Sequence, residues 1–96
     1  MSLICDAIRT RSLLEFRYHG LVRLVAPYCH GFSPRGTEIL RAVQIGGSSS
    51  SGGFGFGKLW FVADIVGPRL IGKRFVPADP RYNPDDRAIP QIHCRI

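Results

Sequence analysis

Ninety-six residues, 45% of them hydrophobic, suffice for one compact domain and leave no room for a second. Thirteen Lys and Arg against seven Asp and Glu give a net charge of +6, and all thirteen except Lys58 and Lys73 are Arg, whose planar fork pairs bidentately with phosphate or carboxylate; the balance leans toward an anionic partner. No apolar run approaches the ~18 residues of a membrane-spanning helix, and the first residues lack the basic and hydrophobic parts of a signal peptide, so a cytoplasmic protein without membrane contact is expected.

Ser2 is placed to cap a helix over residues 3 to 11, with Leu3, Ile4, Ala7 and Ile8 on one side, Asp6 early and Arg9 and Arg11 late, in the charge order that suits the helix dipole. Residues 14 to 27 then read as a β-hairpin. Leu14, Phe16 and Tyr18 alternate with Glu15, Arg17 and His19, and after a turn at His19-Gly20 the apolar Val22, Leu24 and Ala26 alternate with Arg23 and Val25. This assigns Arg17 and Arg23 to one polar face. Pro27 ends the pairing or marks an edge, although Tyr28 to Phe32 can continue the strand, and Ser33-Pro34-Arg35-Gly36 is a turn.

Ile39, Leu40, Ala42, Val43 and Ile45 form a third strand, apolar on both sides and therefore central. Residues 46 to 57 are glycine and serine apart from Phe54 and Phe56, a mobile loop able to close over a bound partner. Lys58 to Ile65 reads as one strand broken at Gly67-Pro68, residues 70 to 76 as a short strand or irregular segment, residues 77 to 87 as a rigid Pro- and Asp-containing excursion, and Ile89, Ile92, Cys94 and Ile96 as a closing strand.

Three blocks of this sequence together resemble the WYL domain. These are the helix and hairpin with Ala7-Ile8, Phe16-x-Tyr18 and Arg23-x-Val25-x-Pro27; then Glu38-Ile39-Leu40-Arg41-Ala42; then Lys58-Leu59-Trp60-Phe61-Val62-Ala63-Asp64-Ile65. The resemblance covers residues 3 to about 71. It implies a mainly β, small Sm-like barrel of five strands behind one N-terminal helix, acting as a non-enzymatic sensing module in transcription regulation. Only Leu40 of the name-giving Trp-Tyr-Leu is present, and no helix-turn-helix precedes the module, so the likeness is to a divergent, stand-alone relative.

On this reading Arg17, Arg23, Arg41 and Lys58 supply positive charge, Gln44 hydrogen bonding, and Tyr18 and Trp60 stacking faces for a nucleotide or single-stranded nucleic acid. The alternative is a protein-interaction barrel that associates with a polypeptide or with itself as a homodimer, through Trp60 or the loop phenylalanines. Other chemistry is weighed and set aside. Gly53-Phe54-Gly55-Phe56 echoes an RNA-recognition strand but lacks its basic and terminal aromatic residues. Asp79, Asp85 and Asp86 lie among prolines and build turns more readily than a cation site. Three cysteines are an odd number without framework spacing, which suits a reducing compartment. Cys29-His30 and His93-Cys94 offer zinc ligands, yet neighbours on a strand point to opposite faces, so one dipeptide is not expected to give both. Neither metal nor cofactor is therefore expected, and a Cys-His nucleophile lacks an orienting third group.

Overall fold

The computed structural model describes residues 3–47, 59–77, 85 and 87–96. The cap at Ser2, Lys58, the loop phenylalanines, Asp79 and Asp86 lie outside the described residues, as does the 46–57 loop beyond Gly47.

The amphipathic helix α1, Leu3–Thr10, buries Ile4, Cys5, Ala7 and Ile8, the residues that its 3.6-residue spacing puts on one side. It ends where Arg11 takes a φ of 52° and the chain turns directly into β1, Ser12–Tyr18. His19 and Gly20, with φ of 51° and 78°, make the two-residue turn into β2, Leu21–Phe32. Both turn residues have positive φ, the geometry whose twist matches that of the flanking strands.

This turn fixes the register and corrects the expected sorting of charges. Tyr18 pairs with Leu21, Arg17 with Val22, Phe16 with Arg23 and Leu14 with Val25. Residues directly opposite share a face, so Arg23 and Val25 lie with Leu14, Phe16 and Tyr18 on the core side, while Arg17 and Val22 lie on the other.

β3, Glu38–Gly47, runs antiparallel to β2, and β4, Leu59–Phe61, runs antiparallel to β3. A 3-10 turn over Val62–Asp64 leads into β5, Ile65–Arg74, which returns to pair with β1; β6, Gln91–Arg95, pairs with the far half of β2. The strand order is β4-β3-β2-β1-β5 with β6 attached to β2, six strands in one antiparallel sheet that does not close among the described residues. The fold is mainly β with one helix, as expected, but has six strands rather than five: the 3-10 turn ends β4 at Phe61, and Ile65–Arg74, expected as a break followed by a short strand or irregular segment, forms the additional strand. Gly67-Pro68 does not end a strand. It lies within β5 at a register irregularity between Val66 and Arg69, where Gly67 has a φ of 60°, as suits a proline on an edge strand. Pro27 is likewise inside β2, in the gap between the last pair with β1 at Val25 and the first with β6 at Cys29.

Helix α1 covers one face of the sheet. The core there contains Ile4, Cys5, Ala7, Ile8, Leu14, Phe16, Tyr18, Val25, Leu40, Ala42, Trp60 and Cys94. Leu13, Ala26 and Tyr28 form a smaller cluster with Ile71, Phe75 and Ile96, and Cys29, Ile39 and Ile89 a third that anchors the approach to β6. No helix among the described residues is long and apolar enough to cross a membrane.

Candidate functional site

Of the residues selected from sequence for charge and stacking, Tyr18, Arg23 and Trp60 do meet, but inside the protein. The Arg23 guanidinium lies 5.6 Å from the Tyr18 ring centroid and 5.5 Å from that of Trp60, and its Nη2 donates to the Tyr18 carbonyl at 3.1 Å. Trp60 packs edge-on against Phe16 and Tyr18 and donates from its indole nitrogen to the Ala42 carbonyl. The Tyr18 hydroxyl accepts from the Phe61 amide at 3.0 Å. These aromatic faces are occupied by one another and by Arg23, so they present no stacking surface. Gln44 is also buried, and its Nε2 donates to the Gly46 carbonyl. Arg17 is exposed on the opposite face, Arg41 is half-buried on β3 between Cys29 and Leu59, and Lys58 lies outside the described residues. No pocket opens among the described residues.

A different set of side chains converges where α1, β2 and β6 meet. Cys5 of α1, His30 of β2, and His93 and Cys94 of β6 place one potential ligand atom each within 4.8 Å of the others. His93 Nδ1 is 3.3 Å from His30 Nδ1; Cys5 Sγ is 3.7 Å from His30 Nδ1 and 3.8 Å from His93 Nδ1; Cys94 Sγ is 3.7 Å from His30 Nδ1. Cys5 and Cys94 are joined as a disulfide, with Cα atoms 5.7 Å apart. Cys29, the other half of the Cys29-His30 pair, belongs to a separate buried cluster.

The convergence depends on a β-bulge. His30 pairs with Cys94 and Gly31 with Ile92, which leaves His93 as an extra residue in β6. A bulge sets two residues of one strand against one of its partner, so His93 and Cys94 both reach His30 although they are neighbours in sequence. The alternation that counted against zinc therefore fails at His93-Cys94, although it holds at Cys29-His30, where only His30 faces the cluster. Gly31 lets β6 approach so closely: a Cβ there would collide with the Gln91 carbonyl and the Ile89 side chain.

Glu38, the first residue of β3, accepts a hydrogen bond from His30 Nε2 at 2.6 Å. A carboxylate only accepts, so Nε2 carries a proton, and in the neutral ring that leaves the lone pair on Nδ1, facing the two sulfurs and His93. His30 is 1% exposed and Cys5 2%, whereas His93 is solvent-exposed and forms the outer wall of the centre.

A second grouping lies at the other end of α1. The Phe75 amide donates to the Arg11 carbonyl at 2.8 Å, and Ser12 pairs with Arg74. These contacts bring Arg11, just beyond the helix, beside Arg74, with Arg9 in the last turn of α1 and Lys73 next to Arg74 on β5. All four are exposed, and none forms an ion pair among the described residues. By contrast, Arg69 of the same strand donates twice to a single oxygen of Glu15, with Nε at 2.9 Å and Nη2 at 2.7 Å from Oε1. Only Arg9 and Arg11 carry a sequence signal, their place at a helix end; the return of β5 to β1 adds the other two.

Protein-family models, curated proteins and solved structures contain no match to this chain.

Proposed function

We propose that the chain is a non-enzymatic binding module for an anionic ligand, a nucleotide or single-stranded nucleic acid, engaged at the corner formed by Arg9, Arg11, Lys73 and Arg74. The observation that carries this reading is the gathering of four exposed cations, from the end of α1 and the end of β5, without a carboxylate partner among the described residues. Unpaired surface charges of one sign repel each other and raise the local potential, which attracts phosphates and releases their counterions on binding. The reading shifts the binding surface away from the buried Arg23, Gln44, Tyr18 and Trp60. A closed Sm-like barrel and kinship with the WYL domain belong to the same proposal and rest on the sequence resemblance; a helix leading into an antiparallel sheet is compatible with both.

Fluorescence anisotropy with a short labelled oligonucleotide tests it. Four phosphate contacts give a slope of log K against log salt of about −3, at roughly 0.7 per contact for single strands. Replacing Lys73 and Arg74 by Ala should lower the magnitude of the slope by about 1.4 on the same scale. A salt-independent signal, or an unchanged slope in the double variant, refutes the assignment.

Self-association is the competing reading. Val22 and Val66, which flank Arg17 across β1, are 42% and 61% exposed, and Ile45 is 46% exposed on β3. A concentration-dependent sedimentation coefficient that Val66→Lys abolishes would favour it over the ligand reading.

A further inference from the structure

We propose that Cys5, His30, His93 and Cys94, once the cysteines are reduced, hold one zinc ion in a tetrahedral Cys2His2 site, and that the disulfide is the metal-free closed form of the same centre.

The argument begins with ligand type and number. Two thiolates and two imidazoles are a complete donor set for structural zinc, and tetrahedral geometry with sulfur and nitrogen selects zinc over harder cations such as magnesium or calcium. The spacing fits the same geometry. Bond lengths of about 2.0 to 2.1 Å to nitrogen and 2.3 Å to sulfur place tetrahedral ligands roughly 3.3 Å apart for two nitrogens, roughly 3.6 Å for nitrogen and sulfur, and roughly 3.8 Å for two sulfurs. The two Nδ1 atoms are 3.3 Å apart, and three nitrogen-to-sulfur distances are 3.7, 3.8 and 3.7 Å. The fourth nitrogen-to-sulfur pair, His93 Nδ1 and Cys94 Sγ, lies within 4.8 Å, so the adjustments needed are settling of that pair to the tetrahedral spacing and separation of the two sulfurs after the bond between them is broken.

Orientation supplies an independent reason. Glu38 fixes the His30 tautomer so that Nδ1 is an acceptor aimed at the centre, the arrangement in which a carboxylate orients a metal-bound imidazole. In the disulfide form only His93 Nδ1 can donate to the His30 Nδ1 lone pair, because the two bonded sulfurs that face it at 3.7 Å carry no hydrogen. A cation among the four atoms satisfies all of them together.

The two forms interconvert with atoms and electrons in balance. A dithiol reductant breaks the Cys5–Cys94 bond, leaving two thiols on the protein and a cyclic disulfide on the reductant; zinc then binds both sulfurs as thiolates, and their two protons pass to solvent. In the reverse direction hydrogen peroxide takes two electrons from the two thiolates and, with two protons, becomes two waters, while the sulfurs join and zinc leaves.

The test uses the whole chain, reduced with dithiothreitol, freed of reductant without oxygen and titrated with zinc or cobalt. One zinc per chain should survive gel filtration, and cobalt should give intense thiolate charge-transfer bands with tetrahedral d–d absorption. Exposed His93 can be changed without disturbing the core, so His93→Ala should keep the circular dichroism of the parent and bind zinc at least tenfold more weakly. Glu38→Gln should lose affinity by about 10- to 100-fold, the usual effect of removing a ligand's hydrogen-bonding partner. Peroxide should release the zinc and restore a protein without titratable Cys5 and Cys94 thiols. Less than a tenth of an equivalent of retained zinc in folded, reduced protein, an octahedral cobalt spectrum, or unchanged affinity in His93→Ala would each overturn the proposal. These readouts are independent of anion binding at the basic corner.

Discussion

Arg23 and Arg17 differ by six positions in sequence and by the whole thickness of the sheet in environment. Arg23 is 3% exposed, with its guanidinium near two aromatic rings and its Nε without a hydrogen-bond partner among the described residues. Its long apolar stem fills core volume while the head is held by cation–π contact and the Tyr18 carbonyl. Arg23→Ala should therefore remove packing as well as charge and cost roughly 2 to 4 kcal/mol in urea unfolding, whereas Arg17→Ala should stay within about 0.5 kcal/mol. Equal effects would mean that the hairpin register is wrong. The contrast was partly legible beforehand. Alternation identified both strands, but which face Arg23 joined depended on the length of the turn. A two-residue loop at His19-Gly20 pairs Arg23 with Phe16; charge pattern alone suggested the reverse, because an arginine between Val22 and Leu24 reads as solvent-facing.

At the scale of elements, helix α1, the hairpin, β3 and the closing strand follow from periodicity and turn residues. The Cys-His centre does not follow, because it depends on one bulge in β6 and on an approach of β6 to β2 that only Gly31 allows. Strand alternation is a local rule, and a bulge is set by the partner strand. The sequence does carry a trace of it in the presence of both a Cys-His and a His-Cys dipeptide, but not in which member of each pair is used. Gly31→Ala should push β6 outward, since its Cβ would meet backbone atoms as well as a side chain. The expected cost is about 1 to 3 kcal/mol, the range for overpacking a filled site. Under mild reduction, Cys94 should react with a thiol reagent faster in this variant than in the parent. Unchanged stability together with unchanged labelling would show that β6 does not lie against β2 at this position.

For the molecule as a whole, the Cys5–Cys94 link matters more than its two residues suggest, because 89 positions separate them and nearly the entire chain lies inside the loop they close. Closing a loop of that length removes unfolded-state entropy equivalent to about 4 to 5 kcal/mol in the chain-entropy account. A domain of this size is stable by only about 5 to 15 kcal/mol, so the link is a large share of the total. The rest comes from a core in which α1 covers one face of the sheet and β6 is held between α1 and β2. Reduction without metal should lower Tm by roughly 20 to 40 °C, given about 4 to 8 °C per kcal/mol for domains of this length. Replacing Cys5 and Cys94 by Ala should produce a similar fall that no reductant changes. Zinc ties the same two positions through its ligands, so adding it to the reduced parent should recover much of the lost Tm, and adding it to the double variant should not. Differential scanning fluorimetry of the oxidised, reduced, reduced-plus-zinc and double-variant proteins separates these cases. If the reduced protein melts where the oxidised one does, the core alone sustains the fold and the link between the ends contributes little.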